Sequence, residues 1–467
     1  MLSNKYKSLI KDTALFAIGS IGAKLIQFVL MPLYTNYMTT EEYGTSNLIF
    51  TIAQLLIPIL SVEMFDALIR FGLSKDEERQ DVVRICGNIL LVDFVLLIVV
   101  CYPLLGMTNS FRDWSSYLCV YVFVSIYNSF SMNYLKVKSM NKLYANLSML
   151  TAAILATLNV VLIVGLKIGV RGYLISNIFA LLLTALAATY RSNAVKDWLS
   201  GEFDFSLLMR MLKYAFPLIF NTISWWMISS FDKVMIEAMI GVSALGIYAV
   251  SSKIPALINM LIAIFQQSWG LATIKEVEGS NDVKFYSKVF DIFTTMVFGF
   301  AIAFIAISRI FMRYYVGKDF IEAADYVPFL IFSAVFSAIS TYFGALYTAL
   351  KKSVSIMVTT LLSGIVNVII NYIMIRRMGI MGAVAGTVVA YALIAILRMI
   401  DLRRRIPLNI DYIKFFTNAI LLLFITISVT FSWNISLCTV IGTIIFVTFN
   451  CKTIKEALSK CFHKNET

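Results

Sequence analysis

The chain has 467 residues, of which 60% are hydrophobic and only 14% charged, a balance that no water-soluble domain of this size carries without aggregating. Its formal charge of +12 lies in short basic clusters between apolar runs and forms no continuous stripe, which argues against a nucleic-acid partner. Composition therefore excludes a soluble enzyme or binding module and makes lipid the solvent.

A spanning helix needs roughly 20 largely apolar residues, and runs of that length recur from residue 13 to residue 450. Backbone exposed to lipid must satisfy its own hydrogen bonds, so the runs predict an all-α polytopic membrane protein rather than a barrel. The basic start (Lys5, Lys7, Lys11) leads into an apolar run that continues to about Met38 with Lys24 at its centre, which predicts an uncleaved first span over 13–36. Five more spans follow at 46–69, 85–105, 115–135, 145–166 and 170–190. After the polar stretch 191–206 come 207–231, 240–268, 289–312, 325–349, 355–375 and 381–400, then a final pair at 413–433 and 434–450. This predicts about fourteen helices: an N-terminal six-helix bundle (1–190), a cytoplasmic linker acting as hinge (191–206), a second six-helix bundle (207–400), and an appended helix pair with its tail (401–467).

Most of the 39 Lys and Arg fall on alternate connections. The inside-positive rule then puts both termini in the cytoplasm, with short outer loops that could hold no folded domain. Two corners repeat: LNVVLIVGLKIGVRG (158–172) and VNVIINYIMIRRMGIMG (366–382) pair Asn159 with Asn367, Gly169 with Gly379, and Gly172 with Gly382. A weaker echo sets 41–56 against 243–258. An offset of six helices keeps orientation, which predicts halves related by a pseudo-twofold along the membrane normal around a central cavity.

The six cysteines show no CxxC spacing and His463 is the sole histidine, so neither a metal site nor a cofactor is expected. No GxxxxGK[ST] occurs, so energy must come from an ion gradient (H+ or Na+), the membrane potential or product removal. Ionisable side chains inside spans are expensive and mark function. Lys24 and Lys253 sit near mid-span in the first and eighth helices, too deep to snorkel, and together suit an anionic group; the alternative is that carboxylates neutralise them and they fix packing. Pro255, two residues on, should kink the eighth helix. Glu63, Asp66 and Arg70 at i, i+3 and i+7 share one face of the second span. Asp66 and Arg70 are read as an interfacial ion pair, while Glu63 and Asp93, with Asp66, are the coupling candidates. Asp291 is a further acidic position. In the seventh span, Asn221 is a bonding position, Trp225 and Trp226 are stacking or anchoring residues, and Asp232 and Lys233 are placed at the outer mouth as a gate.

On NTISWWMISSFDKVMIEAMIGVSALGIYAVSSKI (221–254), LMPLYTNYMTTEEYG (30–44) and the two glycine corners, the chain resembles the polysaccharide flippase branch of the multidrug/oligosaccharidyl-lipid/polysaccharide exporter superfamily. The resemblance implies alternating access of two bundles, an inner-membrane location, a polyprenyl-diphosphate-linked oligosaccharide as cargo, and association with a polymerase or other assembly proteins. It also implies a cationic cavity for the diphosphate, with Lys24, Lys253, Asn221 and Trp225 as substrate-binding residues. A lipid-linked peptidoglycan precursor flippase or a drug/cation antiporter of the same superfamily is the alternative transporter. An integral-membrane glycosyltransferase or polymerase is the alternative of another class, and a scaffold protein a third.

Overall fold

The computed structural model describes residues 26, 28–74, 76–108, 110–278 and 283–462; Lys24 and most of the first expected span lie outside them. The described residues are helical almost throughout and contain no strand. The chain divides into two compact units, residues 1–226 and 227–467.

Unit 1 holds α1 (Met31–Tyr37), α2 (Thr40–Leu60), α3 (Met64–Gly72), α4 (Arg79–Gly106), α5 (Ser115–Val137), α6 (Asn141–Gly165), α7 (Gly169–Ser192), α8 (Ala194–Ser200) and the start of α9 (Phe205–Met239). Unit 2 holds the rest of α9, then α10 (Val242–Ser251), α11 (Lys253–Glu278), α12 (Val283–Tyr315), α13 (Ala323–Ala349), α14 (Ser353–Met378), α15 (Ile380–Arg405), α16 (Tyr412–Thr430) and α17 (Ile435–Phe462). Ten described helices are long and apolar enough to cross a bilayer, and the bent pair α10 and α11 makes an eleventh. Helices α5 and α9, of 23 and 35 residues, exceed the length a bilayer requires but are rich in Ser, Asn, Tyr and Trp.

The second expected span is interrupted. Helix α2 starts at a capping box, Thr39 with Glu42, and ends two residues past Pro58. Val62 and Glu63 then take left-handed conformations (φ 50° and 53°) before α3 begins. Glu63 is therefore not in continuous helical register with α2, and among the described residues Asp66 and Arg70 form no ion pair, both being exposed on α3. This corrects the expected pairing.

The two glycine corners are built alike. Gly169 (φ 48°) opens α7 and Gly379 (φ 58°) immediately precedes α15, both in conformations that suit glycine. Three residues on, a Cβ at Gly382 would overlap the Met374 carbonyl, and one at Gly172 would crowd Leu162. Asn159 and Asn367, which precede these corners, are both fully buried. Asn159 donates to the Tyr34 hydroxyl at 2.8 Å, and Asn367 accepts from Asn371 at 3.1 Å.

The first part of the 191–206 stretch is a docked helix. Trp198 of α8 fills the space left by Gly87, donates to Asn88 Oδ1 at 3.2 Å and lies under the Arg84 guanidinium. Asp197 pairs with Lys138 at 2.5 Å and accepts from the Tyr134 hydroxyl. Burial alone would raise the Asp197 pKa, but the Lys138 and Tyr134 hydrogen bonds and the charges of Lys138 and Arg79 hold it below its usual value. In unit 2, α16 and α17 are joined to each other by the reciprocal amides of Asn418 and Asn450 (3.2 and 2.9 Å) and by Lys414, which bonds Thr453 at 2.6 Å, and to α12 by Asp291, which accepts from Lys414 at 2.5 Å and from Thr453 at 2.9 Å. The expected appended pair is thus bonded to the ninth-span helix.

Candidate functional site

Each unit interrupts a spanning helix at a charged residue. In unit 1 the residue is Glu63, in the gap between α2 and α3. In unit 2 it is Lys253, where α10 and α11 meet at a 41° bend. The proline ring of Pro255, with no N–H to give, disfavours straight continuation across Ser251 and Ser252. Non-helical backbone at membrane depth is tolerated where it is enclosed by protein or lines a cavity, which makes both gaps candidate positions for chemistry.

Around the first gap, Thr222 of α9 donates to Glu63 Oε1 at 2.6 Å. One turn further along α9, Trp226 is buried and gives its indole N–H to the Thr51 carbonyl at 2.9 Å. This indole is thereby an anchor on α2. Trp225 is half-buried and Asn221 exposed on the same helix. Asp93 lies near the middle of α4, about 20 Å from either end by helical rise, and is 1% exposed. Among the described residues its Oδ2 has no hydrogen-bond partner. That depth is well inside the span, away from the interface.

In unit 2, a cavity of about 200 Å³ is lined by Asp232, Lys233, Tyr248, Pro255, Thr387 and Tyr391, among others. Asp232 is 2% exposed. Its Oδ2 accepts from the Tyr248 hydroxyl and lies 3.2 Å from Thr387 Oγ1, while Oδ1 accepts the Lys233 backbone N–H at 2.8 Å. One carboxylate thereby joins α9, α10 and α15. The seventh-span helix runs to Met239, eight residues past its expected end, so Asp232 and Lys233 lie two turns inside the helix and not at its mouth. Lys253 does not line this cavity, but Lys233 and Lys253 are within reach of each other's charge. Lys233 is the ammonium group in this cavity lining, next to a carboxylate that Tyr248, Thr387 and the backbone already engage.

The structure thus brings Asp232, Lys233 and Pro255 to one cavity with Lys253 beside it, and places Glu63 and Asp93 in unit 1. Thr222, Tyr248, Thr387 and Tyr391 carry no local sequence signal, because their places at these sites depend on helix register across distant segments. Arg398, 1% exposed in α15 and unmarked by any motif, bonds the Ser340 carbonyl at 2.7 Å and Thr360 Oγ1 at 2.9 Å through its guanidinium. Among the described residues no group of three His, Cys, Asp or Glu could hold a metal ion.

Residues 9–270, more than half of the chain, match the family described as polysaccharide biosynthesis protein. The Lsg locus putative protein 1 of Haemophilus influenzae is 21% identical over 266 residues, 54% of this chain and 62% of that protein. In three dimensions the chain resembles the lipid II flippase MurJ in an inward closed conformation (TM-score 0.71, 13% identity, 94% of this chain and 100% of that one). It also resembles a multidrug resistance MATE family transporter of the MOP superfamily in its inward-facing conformation (TM-score 0.64, 15% identity, 82% and 98%). A MOP superfamily transporter from Pyrococcus furiosus gives a TM-score of 0.59 at 16% identity, over 86% and 96%. At these identities the likeness is one of fold.

Proposed function

Because the chain belongs to the polysaccharide biosynthesis protein family, we propose that it is a flippase for a polyprenyl-diphosphate-linked oligosaccharide, a repeat unit of a surface polysaccharide. It carries this cargo from the cytoplasmic to the outer leaflet of the inner membrane by alternating access. Both termini are cytoplasmic, on the distribution of Lys and Arg between connections.

The observation that supports this reading best is the pair of interrupted helices. Discontinuous helices in corresponding positions of two halves are where membrane transporters build their binding sites. Both gaps fall in spans that the sequence echo of 41–56 and 243–258 pairs, with Lys253 opposite Thr51 and Glu63 twelve residues further along its span. The diphosphate is assigned to Lys253 and Lys233, with Lys24 as the expected cation of the other half, while the prenyl tail stays in lipid. Asn221 and Trp225 are the expected sugar contacts. Glu63 and Asp93 are assigned to coupling with H+ or Na+, with the exposed Asp66 as a secondary acid. Asp232 acts in gating, because a movement that separates α9, α10 and α15 must break its hydrogen bonds; Pro255 shapes the same gate.

Transport is favoured over glycosyl transfer or polymerisation because the connections joining the described spanning helices are short, leaving no room for a catalytic domain. A drug/cation antiporter would place unpaired acids at its cavity, whereas here Asp232 is engaged by hydrogen bonds and Lys233 lines the cavity with it. The test is reconstitution in liposomes with a fluorescent polyprenyl-diphosphate oligosaccharide. Protein-dependent loss of cargo from one leaflet is expected. Movement of a lipophilic cation with no movement of the lipid-linked sugar would overturn the reading.

A further inference from the structure

Two adjoining faces of α12 differ in character. Lys284, Lys288 and Asp291 lie near its N-terminal end and line a cavity of about 790 Å³ shared with α16 and α17. Further along, Ile292, Met296, Gly299 and Phe300 lie on the adjoining face and line an apolar cavity of about 290 Å³ against Phe446 of α17. Thr453 lines both cavities, and the apolar stretch on α12 covers about 12 Å of helix rise. A polar chamber beside an apolar one, with Thr453 in the lining of both, suits the two ends of a lipid, its headgroup and an acyl chain.

The charges select the headgroup. Four lysines line the polar cavity (Lys284, Lys288, Lys414 and Lys452) against three carboxylates (Asp291, Asp411 and Glu456), leaving one formal positive charge. The carboxylates are engaged: Asp291 bonds Lys414 and Thr453, Glu456 pairs with Lys288 at 3.0 Å, and Asp411 caps α16 through the Lys414 N–H at 3.0 Å. A single phosphodiester balances that residual charge, whereas a diphosphate would leave negative charge uncompensated. A soluble anion would leave the apolar cavity empty.

We propose that α12, α16 and α17 form a binding site for a monoanionic phospholipid of the cytoplasmic leaflet, its phosphodiester among Lys284, Lys288 and Lys452 and one acyl chain along Ile292 to Phe300. The site uses no residue assigned to the transported cargo. It rests on the proposed orientation only in naming the leaflet, since that leaflet supplies anionic lipid.

The test is thermal unfolding of the purified full-length protein in detergent, titrated separately with phosphatidylglycerol, phosphatidylcholine, inorganic phosphate and a polyprenyl diphosphate. Phosphatidylglycerol should stabilise the wild type more than phosphatidylcholine, and inorganic phosphate should have no effect. In the Lys284→Gln/Lys452→Gln variant, apparent affinity for phosphatidylglycerol should fall about tenfold or more, as loss of two lysine charges near the headgroup implies. Met296→Trp, which fills the apolar cavity and leaves every charge in place, should weaken binding of phosphatidylglycerol independently. Equal stabilisation by the two phospholipids, or a preference for phosphatidylglycerol that survives in the variants, overturns the proposal. Stronger lysine-dependent stabilisation by polyprenyl diphosphate also overturns it, by making the cavity a substrate entrance. The readout needs no transport, so failure of the flippase reading leaves this result interpretable by itself.

Discussion

The Thr222 hydroxyl donates to Glu63 Oε1 at 2.6 Å, tying the first half of α9 to the gap between α2 and α3. Hydrogen bonds to charged groups contribute about 1.5–3 kcal/mol. Thr222→Val should therefore destabilise the protein by about that amount, measured by thermal or chemical denaturation in detergent. Glu63→Gln keeps an acceptor for Thr222 but cannot exchange a proton. It should keep near-wild-type stability while transport loses its pH dependence. Transport by Glu63→Gln with an unchanged pH profile would remove Glu63 from coupling.

Lys253 tests the assignment of the diphosphate. Loss of one charge-assisted contact of about 1.5–3 kcal/mol corresponds to roughly 10- to 150-fold in affinity. Lys253→Ala should therefore lower transport by one to two orders of magnitude, and Lys253→Arg should restore much of it. Both proteins should elute as folded monodisperse species. Lys24→Ala should behave likewise, and wild-type flipping in either alanine variant counts strongly against the cationic-site reading.

Much of the architecture was legible because it rests on local properties. Apolar runs give the helices, and glycine at 169 and 379 marks corners that need positive φ. What was not legible depends on how distant segments meet. The gap at 61–63 has only Pro58 as a local marker, and neither Val62 nor Glu63 belongs to a residue type that favours the left-handed region. Asp232 is held by Tyr248 and Thr387, the latter 155 residues away, and only packing reveals that pairing. The linker was legible as a polar stretch, but not as a helix, because its docking depends on Trp198 finding the space at Gly87.

The Asp197 carboxylate on α8 gives a stability prediction with a sign. Its folded-state pKa is depressed by Lys138 and Tyr134 against the opposing effect of burial. Its contribution is therefore fully present above the unfolded value of about 3.9 and is lost as pH falls through the lower folded value. Asp197→Asn should be less stable than wild type at pH 7 by about 1–3 kcal/mol. The gap should close below about pH 4, read from denaturation midpoints at each pH.

Val62 carries a φ of 50°, a conformation that costs a β-branched residue more than most. Val62→Gly relieves this strain but also frees the unfolded chain and removes a half-buried side chain, effects of about 1 kcal/mol in the opposite direction. Stability should therefore change by less than about 1 kcal/mol, whereas Val→Gly in a regular helix costs more. Ile57→Gly, one turn earlier in α2, is the control, expected to lose about 2 kcal/mol or more through propensity and packing. Equal losses at the two positions would show that the gap stores no backbone strain. A larger tolerance at Val62 identifies it as the place where the second span is built to break, next to the carboxylate that Thr222 holds.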